Sequence, residues 1–415
     1  MSRCGRALDI GRRSPPATKR MAMTKSDYIG PQRKFVSSLE GVRGYAFLLV
    51  FLAHVCGNLG HAAQSRYAVR VIEGIAFVSV PTFFVLSGYL ICGILIDTRA
   101  REGYFKIFYS RRILRVFPLY YLTLLAVALF CALKSYSLNF GFWVHFLYIH
   151  NLLPNYQVGF SSPPGSLMVH LWSMGVEEQF YLIWPLVVWF CPNRRILFSV
   201  TFVLIAFSFA LRFAAPWLRL TALDLNFWTP TRIDAILLGA VLAMIRGEKI
   251  YRWLERVAQY IALCGGGAIV VTAIVPGPSA YRTPLGAASM ISLWNITAAA
   301  LVVAVMREGS FLCRMCSGKG ICWLGARSYG LYLFHYIYLE WLFKRLTPTI
   351  HRFIPLSCAQ LVIGVCAFGL TVLLAGLCYR FIEEPAMNLK KKLKYGAARN
   401  QTMPQPPEPA YAKAD

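Results

Sequence analysis

Ten apolar runs, each long enough to cross roughly 30 Å of hydrocarbon as a helix, divide this chain. They lie near residues 41–60, 75–96, 117–133, 172–190, 196–214, 233–246, 258–275, 286–306, 329–346 and 357–379, and the stretch 142–153 is ambiguous. Hydrophobic residues make up 57% of the chain, above the roughly 45–50% of a soluble domain. A soluble fold could not hide that much apolar surface. The expected fold is all-α, a polytopic membrane protein with about ten transmembrane helices.

The formal net charge of +25 could suggest a nucleic-acid partner, but its distribution excludes one. Lysines and arginines fall in short clusters between apolar runs and build no basic face. With the N-terminus inside, 33 of them lie on the inner side and 10 on the outer. That asymmetry predicts both termini in the cytoplasm, and the expected location of such a multi-pass chain is the cell inner (plasma) membrane. Three regions follow: a basic tail at 1–34, expected to be disordered, a transmembrane domain at 35–395, and a second disordered tail at 396–415. The longest outer connection, 134–171, carries aromatics, Asn, Ser and Pro (NLLPNYQVGFSSPPGS) and is a candidate acceptor surface.

The 12 cysteines are scattered, mostly inside apolar runs, where a thiol behaves as a small hydrophobe. Cys313-x-x-Cys316 with Cys322 lacks a fourth ligand at zinc spacing, so no metal site is expected. No disulfide framework is implied.

Ionisable residues inside membrane spans are costly and mark function by default. Arg43 and His54 sit eleven positions apart in the first run. Eleven residues make about three helical turns, placing both side chains on one face, about 16 Å apart along the axis. A fixed cation near one membrane face and an imidazole deeper in suggest an anionic ligand held at the first and proton chemistry at the second. At the inner mouth of the third run, FYSRRILRVFPLYY puts Arg112 and Arg115 three apart, either as the ordinary basic loop that sets topology or as a bidentate phosphate clamp for a nucleotide-bearing cofactor. Arg99, Arg101, Lys106 and Arg111 add to the field.

Other polar positions carry two readings each. Ser87 and Gly88 in the second run either serve close helix packing or leave a gap for a slender ligand arm. Glu177 and the adjacent Glu178 need partners in an apolar span. Glu177 either orients an imidazole, binds a sugar hydroxyl, or joins an interhelical salt bridge. Arg232 and Asp234 either pair with other charges or bind an acceptor. Tyr332 and His335, three apart, can share a face. Pro385 is expected to break the last helix.

Seven of these segments, in order over residues 35–390, resemble the acyltransferase-3 family of integral-membrane O-acyltransferases. They are LEGVRGYAFLLVFLAH, VPTFFVLSGYLI, RRILRVFPLYY, HLWSMGVEEQFYLIWP, RIDAILLGA, RSYGLYLFH and IEEP. The family's Arg-x10-His element falls on Arg43 and His54, its Arg-x-x-Arg element on Arg112 and Arg115, and its Trp-Ser-x-x-x-Glu element on Trp172, Ser173 and Glu177. The resemblance implies transfer of an acyl group, usually acetyl, from cytoplasmic acyl-CoA to a hydroxyl on a glycan, lipo-oligosaccharide or small molecule at the outer face. On this reading His54 and Glu177 are catalytic, while Arg43, Ser87, Gly88, Arg112 and Arg115 hold the donor. Trp172, Arg232, Asp234, Tyr332 and His335 bind the acceptor or serve structure. His54 acts either as general base or as acyl carrier. The rival expectation is a transporter or flippase without chemistry, though no inverted repeat is visible.

Overall fold

The computed structural model describes residues 30–59, 67–152, 165–275 and 282–396. Most of the 1–34 and 396–415 tails, and most of NLLPNYQVGFSSPPGS, lie outside the described residues. Among the described residues every regular element is helical. The principal helices are α1 (Gly30–Gly57), α2 (Tyr67–Ala76), α3 (Ser79–Thr98), α4 (Tyr104–Leu133), α5 (Trp172–Phe190), α6 (Arg194–Phe213) and α7 (Thr229–Met244). They continue with α8 (Lys249–Ile274), α9 (Pro284–Met306), α10 (Lys319–Ala326), α11 (Ser328–Phe334), α12 (Leu339–Ile350), α13 (Leu356–Cys378) and α14 (Glu384–Lys392).

Eight helical stretches among the described residues are long and apolar enough to cross a membrane, against the ten runs read from the sequence. Two runs account for the difference. The run 172–190 is one helix, α5, but Glu177, Glu178 and Gln179 dilute its apolar character. The run 329–346 is not one helix. It breaks after Phe334 and resumes as α12, whose Leu339 and Phe343 are buried one turn apart while Trp341, Lys344 and Arg345 face outward. Three charged residues in this second half favour an amphipathic helix over a span. The ambiguous stretch 142–153 forms only short turns, the first capped by Asn139 through the Phe142 amide.

Between membrane helices the packing of side chains and close backbone approach do the work that the hydrophobic effect does in water. The α3–α7 contact shows how close the approach is. A Cβ at Gly88 would stand 1.8 Å from the Ile236 carbonyl oxygen, and one at Gly239 would stand 2.0 Å from that of Val85. Each glycine admits the other helix's backbone. Gly88 therefore belongs to the helix interface, and the gap expected there for a ligand arm is filled by α7. α1 packs against α2, α3, α9, α10 and α11. Phe47 and Phe51 of α1 join Leu331, Leu339, Ile363 and Ala367 in one buried cluster.

Pro385 does not end the last helix. α13 passes through a single π turn, Tyr379–Glu383, into α14, where Pro385 occupies the first turn. A missing N–H costs nothing there. The π turn lays α14 against α4 and so brings Lys390 to Arg112 and Arg115 of FYSRRILRVFPLYY.

Candidate active site

Three cavities follow one another along α1. The first, about 300 Å³, is lined by Arg43, Arg112, Arg115, Tyr181 and Lys390, with Glu40 as the only carboxylate among its described lining residues. Arg112 lies over the Tyr181 ring at 5.1 Å, and Arg115 Nη1 reaches only Met387 Sδ, at 3.1 Å. Both forks keep donors for a ligand. Arg111 does not contribute. Its Nε and Nη2 donate to the Leu393 carbonyl and its guanidinium stacks on Tyr395, so it anchors the segment after α14. Arg99 likewise donates to the Trp189 carbonyl. Lys390 escaped the sequence reading because nothing in KKK distinguishes the lysine that the π turn aims inward.

The second cavity, about 60 Å³, shares Arg43 with the first and also meets Ser173, Glu177, Ser328 and Tyr332. Ser87 Oγ donates to Glu177 Oε1 at 2.9 Å, and the Tyr181 hydroxyl stands 2.9 Å from Ser87 Oγ and 3.3 Å from Glu177 Oε2. Glu177 is thus held on the Arg43 side, and its hydrogen bonds are to Ser87 and Tyr181, not to His54. Tyr181 lies one turn after Glu177, a spacing that could have flagged it. Gln179 faces elsewhere: its amide ties the Tyr148 carbonyl, Asn151 and Thr229 together and fixes α5 to α7.

The third cavity, about 650 Å³, shares Tyr332 with the second and is lined by His54, His170, Trp172, Arg232 and Tyr336. The Tyr332 hydroxyl, 2.7 Å from Ser173 Oγ, donates to the His170 carbonyl at 2.8 Å, which places it on the boundary between the two. The His54 ring packs 5.2 Å from His335 and 4.6 Å from Tyr336. His335 Nδ1–H donates to the Tyr332 carbonyl and His170 Nε2–H to that of Leu333. Those bonds fix both tautomers and leave His335 Nε2 and His170 Nδ1 as buried acceptors without a protein donor. Burial pushes the His170 imidazole down to about 3, so the ring is neutral at pH 7. His170 was missed although it stands two positions before Trp172 in the segment HLWSM. Among the described residues no cluster of His, Cys, Asp or Glu could hold a metal ion. Tyr336 and Val169 also line a neighbouring cavity of about 1010 Å³ beside α4 and α12.

The two acidic and basic positions of RIDAILLGA part company. Asp234 accepts from Arg212 Nη2 at 2.7 Å and from Asn295 at 3.0 Å, in a buried ion pair. Arg212 also donates to the Thr231 carbonyl, Ser208 and Ser292, pinning α6, α7 and α9 together. Asp234 is therefore committed to the scaffold and does not line the cavity. Arg232 does line it, with its guanidinium 5.5 Å over the Trp172 ring.

A family model described as an acyltransferase domain matches residues 36–380. The chain is similar to YrhL of Bacillus subtilis (strain 168), 29% identical over 383 residues that cover 85% of this chain and 55% of that protein. It is also similar to the peptidoglycan O-acetyltransferase OatA of Listeria monocytogenes serovar 1/2a, 27% identical over 85% of this chain and 56% of the relative. The O-acetyltransferase OatA of Staphylococcus aureus (strain NCTC 8325 / PS 47) is 25% identical over 85% of this chain and 57% of its own. The chain thus spans about half the length of the curated relatives it matches. No solved structure matches it.

Proposed function

The chain belongs to this acyltransferase family, and on that premise we propose that it moves an acyl group, acetyl by the relatives' example, from cytoplasmic acyl-CoA to a hydroxyl of an extracytoplasmic glycan. The observation that carries the reading is the row of cavities. Arg43 joins the first to the second and Tyr332 joins the second to the third, so a basic mouth and His54 are linked by one interrupted route. The basic mouth, with Arg43, Arg112, Arg115 and Lys390 together, is taken as the cytoplasmic side, where membrane proteins concentrate Lys and Arg.

Four cations against one carboxylate suit the phosphates of a CoA nucleotide, with Arg112 and Arg115 as forks and Lys390 as a point charge. The pantetheine arm runs past Ser87 and Arg43 into the narrow second cavity. Its thioester reaches the boundary at Tyr332. From the other side the acceptor hydroxyl meets His54, whose imidazole takes the hydroxyl proton as the oxygen attacks the thioester carbon. The C–S bond breaks, and the leaving CoA thiolate takes up that proton from the imidazolium, which restores the neutral base. General-base catalysis of this kind contributes roughly 10²–10⁴-fold, and alignment across two cavities supplies much of the remainder. Glu177 balances the Arg43 charge through the Ser87–Tyr181 cluster and so positions the donor.

The test supplies membranes with radiolabelled acetyl-CoA and peptidoglycan-derived or other surface glycans. Label in an alkali-labile ester, absent with His54→Ala at equal expression, is the expected result. Undiminished labelling by the variant refutes the role of His54.

A further inference from the structure

Arg232 is 3% exposed, and neither its Nε nor its Nη1 has a hydrogen-bond partner in the protein. A buried guanidinium left in this state is costly, and such groups are paired or serve a ligand. Its neighbour Asp234 offsets part of this charge through space but gives it no hydrogen bond: Asp234 Oδ2 is bound by Arg212 and Asn295, and Oδ1 has no partner. Arg212, Arg232 and Asp234 together leave one positive charge beside the third cavity. Arg282 adds a second, exposed guanidinium to its lining. No carboxylate lines the cavity among the described residues, and the sequence segments 60–66, 153–164 and 276–281 contain no Asp or Glu. The remaining wall mixes aliphatic side chains and Asn226 with aromatic rings, among them Trp172, Tyr332 and Trp294, the last already stacked on Phe77. At about 650 Å³ the cavity falls within the range of sites for small organic ligands.

We propose that the acceptor carries an oxyanion, a carboxylate or a phosphate ester, within one or two sugar rings of the hydroxyl that is acylated, and that Arg232 binds it. The proposal rests on the acyl-transfer reading for the word acceptor, but not for the anion site itself. Arg232 fixes the charged group deep in the cavity, and the same sugar presents its hydroxyl to His54. Arg282 at the exposed lining attracts the anion before it enters. A neutral glycan leaves the Arg232 guanidinium unpaired, the situation in which a polar site rejects a ligand most strongly.

The experiment uses the full chain in nanodiscs and three matched probes: cellobiose, cellobiouronic acid and cellobiose 6′-phosphate. Binding is measured by calorimetry, and acetyl transfer by label from acetyl-CoA. At least one acidic probe is expected to bind tenfold or more tightly than cellobiose, and which one identifies the oxyanion. Arg232→Gln is expected to erase that preference and Arg232→Lys to restore part of it. Arg282→Ala, at an exposed position, is expected to weaken acid binding at low salt and little at high salt. Equal binding of the three probes, or binding of none, overturns the proposal. So does an acid preference that survives Arg232→Gln. Acid-selective binding without acetyl transfer supports the anion site and counts against the transfer reading alone. Equal transfer to all three leaves that reading standing and refutes this one.

Discussion

The Arg212–Asp234 pair offers a way to separate scaffold from site on one short segment. The side chains are 1% and 5% exposed and 2.7 Å apart. Asp234→Ala removes the only carboxylate among the described hydrogen-bond partners of Arg212, leaving it Ser208, Ser292 and the Thr231 carbonyl, all neutral. Asn295 Nδ2 loses its acceptor as well. Breaking one side of a buried pair costs about 3–5 kcal/mol, because the remaining charge stays buried. At about 2 °C per kcal/mol for a large chain, the midpoint of thermal unfolding falls by roughly 6–10 °C. The double variant Arg212→Met with Asp234→Leu removes both charges and is expected to recover more than half of that loss. The assay is thermal unfolding of the purified protein in one detergent, followed by light scattering and tryptophan fluorescence. If Asp234→Ala unfolds at the wild-type temperature while the KM for acceptor rises, Asp234 belongs to the site and the argument for its structural role is wrong.

Other expectations concern the donor mouth, the helix interface and the outer turns. Arg112→Ala, Arg115→Ala and Lys390→Ala are each expected to raise the KM for acyl-CoA about tenfold, the scale of one charge-assisted hydrogen bond. Arg111→Ala is expected to leave KM unchanged, and equal effects at all four positions would contradict the assignment of Arg111 to the Leu393 carbonyl. Gly88→Val is expected to abolish folded, extractable protein rather than weaken donor binding, since its Cβ meets the α7 backbone at 1.8 Å; a well-folded variant with altered donor KM would restore the ligand-arm reading. The rings of His145 and His150 stack 4.1 Å apart. Burial lowers both below the ordinary 6.5, His145 to about 4. Their neutral forms therefore favour the folded state above pH 6.5, and stability falls as the pH drops from there toward 4. His145→Gln should flatten that acid limb in a series of thermal scans, and an unchanged limb would mean that other groups set it.

Much of the site was legible in the sequence because membrane spans make polar residues conspicuous. Arg43, His54, Glu177 and Arg232 stood out against apolar surroundings, and each lines one of the cavities. Period and spacing were enough for helices that are regular, such as α1 and α4. Three things depended on contacts between distant segments. Whether Gly88 made a gap or a contact rested on where α7 passes. Whether Asp234 was free rested on Arg212, 22 positions earlier on another helix. Lys390 reached the basic mouth only because a π turn replaced the break that Pro385 suggested. The run 329–346 was overcounted for a simpler reason: its average hydrophobicity conceals an apolar first half and an amphipathic second half.

On the proposed function, donor and acceptor meet from opposite sides of one membrane domain, at His54. Sealed proteoliposomes test it directly, with the basic mouth oriented outward, labelled acetyl-CoA outside and glycan acceptor trapped within. Labelled ester is expected in the lumen, with no labelled acetyl-CoA inside and no product from His54→Ala. Product formed only when donor and acceptor share a compartment, or formed equally by the variant, would contradict it.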